Sequence, residues 1–241
     1  MHLQQSICVV TGAARGIGRA LAEQLLAEGA RVIVSDVDAI ALQQTVAGFD
    51  TPCAVAVAAD VSSAVDVAAL VAAAEAAFER IDVWINNAGL ARHRAIIDYT
   101  ESEIDLMLDV NLKGTILGSQ AALRSMAPRK SGHIINIIST ASLRGVPTET
   151  VYCAAKWGAR GFTQGLREEA APHSVRVTGL LPGGVDTEFW NDAVAGREVP
   201  VQRFLTAKQV AAAVIALIQM DDSVVPQELV LRAMGDRDFG S

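Results

Sequence analysis

The feature that most constrains this chain is a rhythm: short β-branched runs alternate with longer Ala/Leu-rich stretches along its whole length. The runs are "ICVV" (7–10), "ARVIVSD" (30–36), "CAVAVAAD" (53–60), "IDVWINNAG" (81–89), "SGHIINIIST" (131–140), "SVRVTGLLPGG" (174–184) and "QELVLRA" (227–233). Helical patterns lie between them, among them "IGRALAEQLLAEG", "AIALQQTVAGF", residues 63–80, residues 103–126 and "TETVYCAAKWGARGF". Runs this apolar, without in/out alternation, predict strands buried on both faces, as in a parallel sheet. Helices between such strands are crossovers, which are right-handed and cover both faces. The expected fold is a single-domain, doubly wound α/β sheet of about seven strands, spanning residues 1–241 with no linker or repeat.

Composition narrows the function. The 241 residues carry a formal net charge of −7 with acids and bases intermixed, so no basic stripe exists to neutralise phosphates, and neither nucleic acid nor a membrane surface is an expected partner. The longest apolar runs, such as "VAAAVIALI", are too short to span a bilayer, and the first residues lack the pattern of a secretory signal. Cys8, Cys53 and Cys153 are odd in number and far apart, which fits a reducing compartment. A cytoplasmic protein acting on a small molecule is the expectation. No metal is expected, because His93 and His133 lack a carboxylate or cysteine neighbour at ligand spacing.

Ligands of doubly wound sheets bind outside the carboxyl ends of the strands. The first such end carries "TGAARGIGRA", with Gly12, Gly16 and Gly18. Glycines there permit a tight turn and close backbone approach, and the following helix aims its free N–H groups at the same point, which suits a pyrophosphate. The spacing differs from G-x-G-x-x-G, and no Walker lysine follows Gly18. Asp36 ends the second strand, where a carboxylate accepts bonds from an adenosine ribose and repels an extra phosphate; its ordinary alternative is a helix N-cap. Arg15, a cation able to reach such a phosphate, argues the other way. On balance NAD is favoured over NADP. Asp60 and Val61 are candidates for an adenine contact, with capping of the next helix as the alternative.

Tyr152 and Lys156 stand four apart, on one face of a helix. Alone they read as an exposed amphipathic pair; with Ser139 at a strand end and Asn111 after "LMLDV" they read as chemistry. Alcohol oxidation needs a base for the hydroxyl proton, and a free tyrosine, with a pKa near ~10, is roughly three units too weak at neutral pH. A cation one helical turn away favours the phenolate.

Six motifs now stand in order: "TGAARGIG" (11–18), "NNAG" (86–89), "VNLKG" (110–114), "INIIST" (135–140), "YCAAK" (152–156) and "PGGVDT" (182–187). In these, over nearly its whole length, the chain resembles the short-chain dehydrogenase/reductase family. The resemblance implies a Rossmann-type domain, a nicotinamide cofactor and a homo-oligomer, dimer or tetramer, built on two long helices. It further implies that Ser139 hydrogen-bonds the substrate oxygen and Tyr152 is the acid/base. Lys156 binds the nicotinamide ribose and lowers the tyrosine's proton affinity, and Asn111 anchors a water in a proton relay. Gly12, Arg15, Gly16, Ile17 and Gly18 form the phosphate end of the cofactor site. Asn87, Ala88, Gly89, Pro182, Gly183, Val185 and Thr187 line the rest of its cleft.

The substrate region is expected among residues 90–94, 142–146 and the loop at about 186–206, where Phe189 and Trp190 stand. One of Arg92, Arg94 and Arg144 is a candidate to receive a substrate carboxylate or phosphate. Cys153 is read as packing, and Trp157 and Phe162 as core or subunit contacts. The expected function is interconversion of a secondary alcohol and a ketone. The alternatives are a non-catalytic dinucleotide sensor and an epimerase or dehydratase. Enoyl reduction is disfavoured, because Gly158 stands where enoyl reductases of this fold carry the lysine.

Overall fold

The computed structural model describes residues 2–194 and 199–235. In chain order the elements are β1 (Ile7–Thr11), α1 (Gly16–Ala27), β2 (Arg31–Asp36), α2 (Ala39–Ala47), β3 (Ala54–Ala58), α3 (Ala64–Phe78) and β4 (Val83–Asn86). Then come α4 (Glu101–Leu108), α5 (Gly114–Met126), β5 (Gly132–Ile137), α6 (Thr150–Ala170), β6 (Val175–Pro182) and β7 (Val185–Asp186). The series closes with α7 (Phe189–Ala193), β8 (Leu205–Thr206), α8 (Ala207–Gln219) and β9 (Glu228–Leu231).

Seven strands form one sheet in the order β3-β2-β1-β4-β5-β6-β9, every pair parallel. All seven sequence runs therefore became strands of one sheet. Its doubly covered character shows residue by residue, because successive side chains point to opposite faces. Cys8, Val10, Val32, Val34, Val83 and Ile85 pack with Leu21, Leu25, Val210, Val214 and Ile218 of α1 and α8. Their neighbours Val9, Ile33, Trp84 and Ile134 pack instead with Leu70, Ala122, Met126 and Leu166 of α3, α5 and α6. Each fully buried Leu or Ile contributes about 1.5–3 kcal/mol by leaving water.

Two features differ from the sequence reading. Residues 103–126 are not one uninterrupted helix: a π-helical turn, Asp109–Lys113, separates α4 from α5. Such a turn inserts one residue into the ladder and commonly marks a functional position. A second small sheet, β7 paired parallel with β8, folds the segment after β6 back over the strand ends. Of the loop at about 186–206, residues 195–198 lie outside the described residues. Among the described residues, no helix is long and apolar enough to cross a membrane.

Candidate active site

A cavity of about 450 Å³ runs along the carboxyl ends of the strands, lined from Asp36 and the glycine loop to Tyr152, Lys156 and the aromatic side chains Phe189 and Trp190. Its first wall is built by glycines. Gly12 has φ +63°, and a Cβ on it would lie 2.6 Å from the Ala88 Cα. A Cβ on Gly18 would lie 2.3 Å from the Gly12 carbonyl oxygen. The loop therefore packs against "NNAG" at a distance only glycine allows. Hydrogen bonds fix the same junction: Asn87 Nδ2 donates to the carbonyls of Thr11 and Gly12, both at 2.9 Å. The Asn87 and Ala88 amides donate to Thr11 Oγ1, both at 3.1 Å.

Asp36 is not the N-cap of α2; that position belongs to Asp38, whose carboxylate accepts from the Ala41 amide. Asp36 instead accepts from the Ala14 amide of the glycine loop and from the Asp38 amide, each at 3.0 Å, and it lines the cavity. Asp60 likewise leaves the capping of α3 to Ser63 and holds Ser62, lining the cavity with Val61. An open cradle at a helix N-terminus, with a carboxylate at the next strand end, fits a dinucleotide's pyrophosphate and ribose. Arg15, Gly16, Ile17, Ala88, Gly89, Pro182, Gly183, Val185 and Thr187 line the same space, so the expected cofactor residues are brought to one cavity, with Gly18 packed behind Gly12.

At the other end, α6 buries Tyr152 and Lys156 on the face that carries Val151, Ala155 and Ala159. Gly158 lets this helix approach the π-helical turn, for a Cβ there would sit 3.0 Å from Leu112 Cδ2. The Lys156 ammonium lies 5.6 Å from the Tyr152 ring centroid and donates to the Ile137 carbonyl at 3.3 Å. Burial draws Lys156 down to about 8. Tyr152 departs from the sequence reading: burial pushes its hydroxyl above the ordinary tyrosine value, and a hydrogen bond with Ser139 only opposes that shift. Desolvation disfavours the charged form of both groups, the phenolate and the ammonium alike.

Asn111 is fully buried in the π-helical turn. Its amide donates to the carbonyls of Leu90 at 2.7 Å and Met107 at 2.9 Å, and its Oδ1 accepts from the Leu90 amide at 3.3 Å. The point where a Gly89 Cβ would stand is 2.9 Å from Asn111 Oδ1 and 3.5 Å from Lys156 Nζ. Glycine leaves that gap open.

The substrate candidates separate. Phe189 and Trp190 line the cavity, with Phe189 6.1 Å from Tyr152 and Trp190 5.2 Å from Phe204 between ring centroids. Arg144 lines it as well. The Arg92 guanidinium, in contrast, donates to the carbonyls of Ala91 and Asp192. Arg94 pairs with Glu103 at 2.7 Å. Cys153 is buried, its thiol held against the Arg144 carbonyl at 3.7 Å. Among the described residues, no three His, Cys, Asp or Glu side chains group to hold a metal.

The sequence reading missed Glu149 in the lining; it covered His93 and Phe204 only within the ranges 90–94 and 186–206, and His93, set aside there as a metal ligand, lines the cavity with its Nδ1 3.6 Å from Glu149 Oε1. His93 does have a carboxylate neighbour, supplied by another segment. Glu149 was findable in principle, as an acidic residue three positions before Tyr152.

Comparison with known proteins gives consistent results. The family model described as short chain dehydrogenase matches residues 6–198. An uncharacterized oxidoreductase of Staphylococcus aureus (strain USA300) is 36% identical over 231 residues, covering 95% of this chain and 98% of that protein. Galactitol 2-dehydrogenase of Agrobacterium fabrum is 33% identical, covering 93% of this chain and 94% of its own. Among solved structures, an alcohol dehydrogenase from the archaeon Thermococcus sibiricus, complexed with 5-hydroxy-NADP, matches with a TM-score of 0.88 at 28% identity, covering 97% of this chain and 99% of that one. A 3-ketoacyl-(acyl-carrier-protein) reductase from Brucella melitensis, complexed with NADH, gives 0.88 at 28% identity, covering 95% and 97%.

Proposed function

The chain belongs to the short-chain dehydrogenase family of oxidoreductases, and from that premise we propose that it interconverts a secondary alcohol and a ketone with NAD(H). One observation carries the reading: Ser139, Tyr152 and Lys156 converge on one end of a cavity whose other end is the glycine cradle with Asp36. A nicotinamide cofactor, held by the glycine cradle, Asp36 and Lys156, would supply the hydride acceptor for the carbinol carbon, or the hydride donor for the ketone. Tyr152 Oη exchanges the hydroxyl proton, and Ser139 Oγ hydrogen-bonds the same substrate oxygen. As a buried phenol, Tyr152 is set up to donate to a carbonyl oxygen; in the oxidative direction the Lys156 ammonium offsets the charge the phenol acquires. Lys156 also binds the nicotinamide ribose. Asn111, anchored by its three backbone contacts, borders the gap at Gly89 through which a water connects to Lys156. The names of the galactitol and archaeal alcohol dehydrogenases support an alcohol as substrate.

The neighbours were solved with both an NADP analogue and NADH, so the preference for NAD rests on Asp36. Its carboxylate borders the adenosine end of the cavity, where a 2′-phosphate meets like charge, while Arg15 offsets part of that repulsion. Titrating NADH and NADPH into the pure protein should give tighter NADH binding, and Asp36→Ala should narrow the gap by about tenfold. Tighter NADPH binding by the wild type would remove the argument. A homo-oligomer and a cytoplasmic location complete the proposal, the latter in keeping with three cysteines that are all free thiols.

A further inference from the structure

Glu149 occupies the N-cap position of α6 yet makes no capping bond with its side chain. The short polar side chains favoured at that position accept from the first turn's amides, whereas the longer glutamate reaches elsewhere. Here the carboxylate is turned into the cavity, toward His93 Nδ1 at 3.6 Å, and both residues line it with Tyr152, Phe189 and Trp190.

The backbone around the pair is built with some strain. Thr148, immediately before Glu149, has φ +67°, a left-handed conformation that a β-branched residue rarely adopts and that costs about 1–3 kcal/mol. Its carbonyl is held by two donors, the Arg94 amide and the Tyr99 hydroxyl. The Arg94 amide donates to the Thr148 carbonyl at 2.9 Å, and the Tyr99 hydroxyl lies between the carbonyls of Thr148 and Arg92. On the other side the His93 amide donates to the Ala193 carbonyl at 2.8 Å, so the His93 segment is tied both to the Thr148 loop and to α7. The imidazole meets Trp190 edge-on, ring centroids 5.8 Å apart. Strain held in place by surrounding contacts is a mark of functional positions.

We infer that Glu149 and His93 determine specificity by hydrogen-bonding a second hydroxyl on the substrate, so that the preferred substrates are uncharged vicinal diols and polyols and their keto forms. This rests on the oxidoreductase reading above. A carboxylate only accepts, and a hydroxyl donates to it with charge assistance. The imidazole adds a donor or an acceptor beside it. A substrate lacking the hydroxyl forgoes that charge-assisted hydrogen bond, and a site built to bond a hydroxyl discriminates strongly against an analogue without it. A substrate carboxylate meets Glu149's charge, which weighs against the anionic substrate expected for Arg144.

The experiment compares kcat/KM for butane-2,3-diol and butan-2-ol, with 3-aminobutan-2-ol as a third probe, in the wild type, Glu149→Leu and Glu149→Gln. The expected result is a wild-type preference for the diol that falls about tenfold or more in Glu149→Leu and is largely kept in Glu149→Gln, which still accepts a hydrogen bond. A diol preference unchanged by Glu149→Leu overturns the inference, as does a wild-type preference for the amine. Cofactor titration verifies that each variant is folded. Should Glu149→Leu fail to fold, the wild type decides: equal use of diol and mono-alcohol overturns the proposal. If the wild type turns over none of the three, the oxidoreductase reading itself fails; if it turns over all three without preference, only this inference does.

Discussion

At the scale of single residues, the proposed chemistry rests on two titratable side chains, Tyr152 and Lys156, placed where burial disfavours their charged forms. Lys156 is 4% exposed, and its folded value of about 8 lies below the ordinary lysine value of 10.5. The folded state therefore repels a proton that the unfolded chain holds. This penalty is fully present below pH 8 and fades as pH rises through 10.5, above which both states are neutral, so its effect is a stability that climbs with pH across that window. At neutral pH it costs about 3 kcal/mol. Lys156→Met should consequently raise unfolding stability by about 2 kcal/mol at pH 7 in urea titration, once the lost bond to Ile137 is subtracted, while removing activity. Unchanged or lower stability would show that the lysine is not under strain. The elevated tyrosine could not be read from the sequence, because spacing reports that Lys156 is near Tyr152 but not how deeply both are buried. The same limit hid the His93–Glu149 pair, whose members are far apart in sequence and meet only through the Thr148 loop.

At the scale of elements, the site is held by a buried polar network beneath the strand ends. Trp84 Nε1 donates to Asn86 Oδ1 at 2.7 Å, and Asn86 Nδ2 donates to Ser119 Oγ and to Asn136 Oδ1 at 2.9 and 2.8 Å. Asn136 Nδ2 donates to Thr163 Oγ1 at 2.9 Å, completing a link between β4, β5, α5 and α6. Asn86 and Asn136 are register partners on neighbouring strands, so the network also records how β4 and β5 align. Asn136→Ala should cost about 2–4 kcal/mol, since it strands several buried donors and acceptors at once, and chemical denaturation would measure it. A loss under about 0.5 kcal/mol would mean that the network is dispensable. Strands and crossover helices were legible because apolar runs and their turns are local signals. The π-helical turn was not, since "LMLDVNLKG" continues a helical pattern without a break. What defines that turn is the tertiary packing of Asn111 on Leu90 and of Gly114 on Val61. The β7–β8 pair, two residues per strand, is too short to carry a period.

At the scale of the whole molecule, the fold was legible, and with it the place of a cleft at the strand ends, because a doubly wound sheet dictates where a ligand would lie. The substrate was not, because its walls come from loops with no periodicity. The expected homo-oligomer belongs to this scale too. Trp157 of α6 is 49% exposed, a large aromatic surface to leave in water, and Gly161 and Gly165 continue its stripe with open space where a Cβ would stand. Light scattering should give a mass that is a multiple of 25.3 kDa, and Trp157→Glu should shift it toward one chain; a monomeric wild type would refute the oligomer. The proposed function comes down to one event, in which Tyr152 exchanges the proton of an alcohol during hydride transfer with a nicotinamide cofactor. That event is tested most directly by NADH absorbance on mixing NAD with a panel of secondary alcohols, for the wild type and for Tyr152→Phe, with cofactor affinity titrated in parallel. Tyr152→Phe should lose turnover by about a thousandfold or more while binding NADH normally; wild-type rates in that variant would contradict the assignment.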